Sequence, residues 1–100
     1  MTSEVLLTLT VSPRLEDTVV DWLLSHESGY GFTSFPVSGH SSAHGGLTLA
    51  EQVSGRKKQV RFQMHLPGAE VPALLDQLRR DFAGSGMHYW ISPVLDSASL

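Results

Sequence analysis

Residues 58–66 read KQVRFQMHL, and this alternation decides the fold. In an extended chain Val60, Phe62, Met64 and Leu66 fall on one side, and Gln59, Arg61, Gln63 and His65 on the other. Apolar bulk at every second position means one face buried and one face not, which is the pattern of an antiparallel sheet covered on a single side. The rest of the chain is read outward from this strand.

Downstream, Pro67-Gly68 makes a turn and a helix is predicted over about 70–83. Its stripe is Val71, Leu74, Leu75, Leu78 and Phe82, with Asp76, Gln77, Arg79 and Arg80 facing out. Gly84-Ser85-Gly86 ends it. MHYWISPV (87–94) follows as a strand, with Met87, Tyr89 and Ile91 on one face and His88, Trp90 and Ser92 on the other. The tail at 96–100 is polar and expected to fray.

Upstream, Ser54-Gly55-Arg56-Lys57 reads as a turn, and 47–53 carry an extended pattern. GHSSAHGG (39–46) has no periodicity and is a loop. GFTSFPVS (31–38) is a strand that Pro36 confines to a sheet edge or marks as a bend. Before it, Leu15, Val19, Trp22 and Leu23 recur at helical spacing over 13–26, with Ser12 as N-cap, Pro13 in the first turn and Glu16 and Asp17 at the positive end of the dipole. Val5, Leu7, Leu9 and Val11 alternate in the first strand.

The order is therefore β-α-β-β-α-β: an α+β, ferredoxin-like domain over residues 1–100, with two helices on one face of a four-stranded antiparallel sheet. The uncovered face carries Leu6, Arg61, His65 and Trp90, a mixed surface that a copy of the same chain would bury, so an oligomer is expected. The fold alone assigns no activity.

Composition narrows the class. The chain is 41% hydrophobic and 17% charged, as in a globular domain. No apolar run reaches the roughly 18–20 residues of a transmembrane helix. The opening MTSEVLLTLTV lacks a basic segment and cleavage site, which argues against a secretory signal. A chain without cysteine has no disulfide or thiolate metal site, and the expected location is the cytoplasm. The net charge of −3 speaks against nucleic acid as a partner.

Three constellations bear on chemistry. His40 and His44 lie in VSGHSSAHGGL (37–47), whose glycines would let two imidazoles reach one zinc or copper ion. Two ligands are too few, and a third would have to come from His65, His88, a carboxylate or another subunit. The plain alternative is a connector with two exposed polar residues. Gly39, Gly45, Gly46, Gly84 and Gly86, with Arg56, Lys58 and Arg61, would make a backbone-and-cation cradle for an anion or phosphate. The plain alternative there is that turns require the glycines. Serines 38, 41 and 42 beside the loop histidines form no nucleophile elbow, and Asp17, Asp21, Asp76 and Asp81 fall on helix surfaces, so no enzyme and no catalytic residue is expected. His26, near a helix C-terminus, is explained by the dipole.

The phrase EQVSGRKKQVRFQM (51–64) after a glycine-bearing loop, then a helix, then a Gly-rich turn into YWISPV (89–94), resembles the PII-like signalling proteins. It is most similar to their small branch encoded beside heavy-metal efflux pumps of the resistance-nodulation-division type, over about residues 4–95. The resemblance implies a ferredoxin-like homotrimer with effector clefts between subunits. Its regulatory T-loop would run from about 39 to 56, with Lys58 and Arg61 on the strand leaving it and Gly84, Gly86 and His88 at the second loop of the cleft. It implies a regulator that senses a metal ion or small effector and modulates a membrane metal efflux transporter. The alternative is an adenine-nucleotide-responsive regulator with phosphate held by the basic strand; a small hydrolase ranks last. The turn AGSGMHYW (83–90) is shorter than in nucleotide-binding members and carries no lysine, which argues against adenine nucleotide.

Overall fold

The computed structural model describes residues 4–41 and 56–100. The extended pattern expected over 47–53, the turn at 54–55 and most of the predicted T-loop, with His44, Gly45 and Gly46, lie outside the described residues.

The elements are β1 (Glu4–Val11), α1 (Glu16–His26), β2 (Thr33–Gly39), β3 (Lys57–Pro67), α2 (Val71–Asp81) and β4 (His88–Pro93). The four strands form one antiparallel sheet in the order β2-β3-β1-β4. This is the α+β, ferredoxin-like arrangement that the alternation at 58–66 predicts. Pro36 sits on an edge strand, where its missing N–H costs no ladder bond and its ring blunts the edge.

The strand faces divide as the period of two requires. Leu7, Leu9 and Val11 of β1 join Val60, Phe62, Met64 and Leu66 of β3 beneath Val19 and Leu23 of α1 and Leu74, Leu75 and Leu78 of α2. Phe62 is 1% exposed in the middle of this core. Trp22 lies half-buried on α1: its indole packs edge-on to Phe82, stacks on His26 at 4.0 Å, and donates from Nε1 to Asp81 at 2.7 Å.

The first helix starts at Glu16 rather than at 13, while the second starts within one residue of the expected 70. Short 3-10 turns at Pro13–Leu15 and Gly68–Glu70 precede them. Ser12 stays extended and makes no side-chain cap; its carbonyl accepts from the Leu15 N–H at 3.0 Å. Proline contributes a fixed φ but no N–H, so an i to i+3 turn closes first. Likewise β2 begins at Thr33 rather than at residue 31, because Gly31 is a turn residue with φ +75°. Among the described residues no helix is long and apolar enough to cross a membrane.

Candidate functional site

The topology sorts the candidate residues by which end of the sheet they occupy. β1 and β2 end where β3 and β4 begin, since Val11 pairs with Val60, Thr10 with His88 and Gly39 with Lys57. Gly39, His40, Arg56, Lys58, Gly84, Gly86 and His88 therefore gather at this end, which we term the loop end. His65 does not. It pairs with Leu6 near the start of β1, four residues along the strand from Arg61, so within one chain it cannot share an ion with His40 or His88. Nor do His40 and His88 meet within one chain. They follow β2 and open β4, the two edges of the sheet, about 14 Å apart across three strand spacings. Among the described residues no three metal-ligating side chains come together.

The basic residues divide as well. Arg61 points to the helix-free face, whereas Lys58, an even-numbered residue like Val60, lies on the helix side of the strand. The two side chains thus leave β3 from opposite faces. This parity was already present in KQVRFQMHL.

Gly84 and Gly86 have φ of +78° and +83°, in the left-handed region that side chains resist. The turn itself requires glycine at both positions. Gly86→Val is expected to destabilise the domain by about 1–3 kcal/mol, read as a shifted urea midpoint. A neutral effect would mean that the turn has another conformation.

The helix-free face is a built surface. Arg61 Nε donates to Thr10 Oγ1 at 3.0 Å, and its guanidinium lies 5.0 Å from the centre of the Trp90 ring, a cation–π contact. The His88 ring lies 5.7 Å from the Trp90 ring on the same sheet face. Phe35 pairs directly with Arg61 on the same face. Thr8 and Thr10 are buried beneath these larger side chains, while Trp90 and Phe35 each remain 38% exposed. At the far end of this face His65 Nε2 lies 3.5 Å from Glu4 Oε2, too long for a good hydrogen bond and therefore an electrostatic pair when the imidazole is protonated.

One polar cluster has no counterpart in the sequence reading. Between the C-terminal end of α1 and the start of α2 lies a cleft of about 460 Å³ whose lining includes His26, Tyr30 and Glu70. His26 Nδ1 donates to the Trp22 carbonyl at 2.7 Å. A carbonyl only accepts, so in the neutral ring Nδ1 carries the proton and Nε2 is an acceptor. The Tyr30 hydroxyl donates to the Glu70 carboxylate, which raises the tyrosine pKa above its usual 10.0. These residues are 4, 40 and 44 positions apart in sequence (26 to 30, 30 to 70, 26 to 70), so no local motif announces them.

A family model for proteins of unknown function, DUF3240, matches residues 1–100. The chain is similar to the crystal structure of a DUF3240 family protein from Shewanella baltica OS155: 27% identity, 100% of this chain and 99% of that one covered, TM-score 0.79. No curated protein matches. A match over the full length and a relative with the same fold carry one conclusion: the chain belongs to the DUF3240 family of proteins of unknown function.

Proposed function

We propose that this protein is a small PII-like regulator rather than an enzyme. It assembles as a homotrimer and holds a metal ion or small effector where the loop end of one copy meets the next. The observation that carries this reading is the helix-free sheet face, on which Phe35, Arg61 and Trp90 stand on three different strands around buried threonines. Exposed aromatics with an ordered arginine are the composition of an interface core, and a sheet covered on one side only has this face to bury.

The placement of the histidines suits a ring. His40 and His88 flank opposite edges, so a head-to-tail arrangement sets one copy's β2 edge beside its neighbour's β4 edge. Donors that stand apart within a chain then approach between chains, with His44 in the same loop sequence as His40. Zinc and copper suit imidazole ligands. The bound state would pass to a partner through the predicted T-loop, and the PII-like resemblance suggests a membrane metal efflux transporter as that partner and the cytoplasm as the location. The nucleotide reading needs Arg56, Lys58 and Arg61 to act together, and the opposite faces of Lys58 and Arg61 favour the metal reading over it.

Native mass spectrometry of the protein alone, and with zinc, copper or ATP, tests the proposal. The expected result is a trimer that takes up metal in multiples of three, with uptake lost in the His40→Ala/His44→Ala double variant. Unchanged metal affinity in that variant sinks the metal assignment. Uptake of ATP alone, abolished by Arg61→Glu, transfers the site to the nucleotide reading.

A further inference from the structure

The cleft between the helices lies on the opposite side of the sheet from the proposed assembly face, at the end remote from the loop. Its floor is apolar, formed by Met64 and Leu66 of β3 and Leu74 of α2. Its polar lining is Ser25, His26, Ser28, Tyr30, Glu70 and Gln77, with Glu70 the one carboxylate. A cleft of this size with an apolar floor and a few convergent polar groups is of the kind that takes small molecules.

Charge decides which small molecules. The Lys and Arg residues of the chain are 14, 56, 57, 58, 61, 79 and 80. The topology places every one toward the loop end: Arg14 follows β1, residues 56–61 open β3, and Arg79 and Arg80 occupy the last turn of α2. The opposite end holds Glu4, Glu27 and Glu70 and no Lys or Arg. Glu27 accepts from the Gly31 N–H, Glu70 accepts from Tyr30, and both Glu70 and Glu4 act electrostatically on the tyrosine. An anion entering the cleft meets the Glu70 carboxylate, and no Lys or Arg stands in the lining. A protonated amine finds in the same lining a carboxylate and the Nε2 lone pair of a histidine whose orientation is fixed by Trp22.

We propose that this cleft binds a small organic cation: an ammonium group on Glu70 and His26, with its apolar portion on Met64, Leu66 and Leu74. The site is separate from the trimer and its loop, and its fate does not depend on theirs. Tyr30, hydrogen-bonded to Glu70 across the rim, turns aside as the ammonium takes its place on the carboxylate.

The test uses three probes with one tail: n-hexylammonium, 1-hexanol and hexanoate, titrated into the isotopically labelled full chain. The expected result is amide shift changes confined to residues 25–31 and 66–77. Hexylammonium should bind about tenfold tighter than hexanol, the worth of one charge-assisted contact, and hexanoate more weakly than either. Glu70→Gln should erase the preference for ammonium over hexanol while leaving hexanol binding in place. Ala73→Phe, an exposed helix position on the cleft, should block all three probes without unfolding the chain. Hexanoate binding as tightly as hexylammonium, shift changes mapping elsewhere, or no response to hexylammonium at millimolar concentration would each overturn the proposal.

Discussion

Trp90→Glu is expected to yield a folded monomer. In the isolated chain Trp90 sits on edge strand β4, 38% exposed and outside the hydrophobic core. What it does hold is position: Arg61 lies over its ring and His88 packs beside it. A glutamate at 90 finds the same Arg61 guanidinium within its own chain, which keeps the monomer from gaining a lone charge. Between chains the substitution removes an aromatic anchor and brings a carboxylate into the centre of the buried patch. Central tryptophans are worth about 2 kcal/mol or more in such interfaces, so each contact should weaken about thirtyfold. Sedimentation velocity over a dilution series reads this directly, with circular dichroism as the check on folding. A variant that sediments like the parent trimer would place the interface elsewhere. A parent protein that is itself monomeric would remove the basis of the proposed function.

The fold was legible because its signals are local. The alternation at 58–66 and 5–11, the helical spacing of Leu74, Leu75 and Leu78, and Pro36 each report on a single element, and burial follows them residue by residue. The start of the first helix was less legible, since Ser12 and Pro13 fit an α-helical cap as well as the 3-10 turn they form. The candidate site was legible only in part, because a site is a product of pairing. Placing His65 at the end opposite His88 requires the register of β1 against both neighbours, not the sequence of any one strand. The division between Lys58 and Arg61 was different: the strand's own parity contains it. The cleft was out of reach, because a helix C-terminus explains His26 completely until Tyr30 and Glu70 arrive beside it from other segments.

Two phenylalanines provide the most severe test of the register. Phe62→Ala is expected to cost about 3–5 kcal/mol, since the ring is fully buried on central strand β3 and leaves a cavity when removed. A domain of this size is stabilised by only about 5–15 kcal/mol in total. The thermal midpoint should therefore fall by roughly 12–40 °C, at about 4–8 °C per kcal/mol. Phe35→Ala removes the same ring from the adjacent strand, but Phe35 pairs with Arg61 on the helix-free face and is 38% exposed. It should cost the monomer less than about 1 kcal/mol, as surface substitutions do, and act instead on self-association. A slip of one residue between β2 and β3 would turn Phe35 to the helix side while Phe62, held by β1, stays buried, and the two losses would become alike. Urea unfolding of both variants, in a Trp90→Glu background to remove association, reads the difference. Equal losses of stability would contradict the pairing on which every placement at the loop end depends.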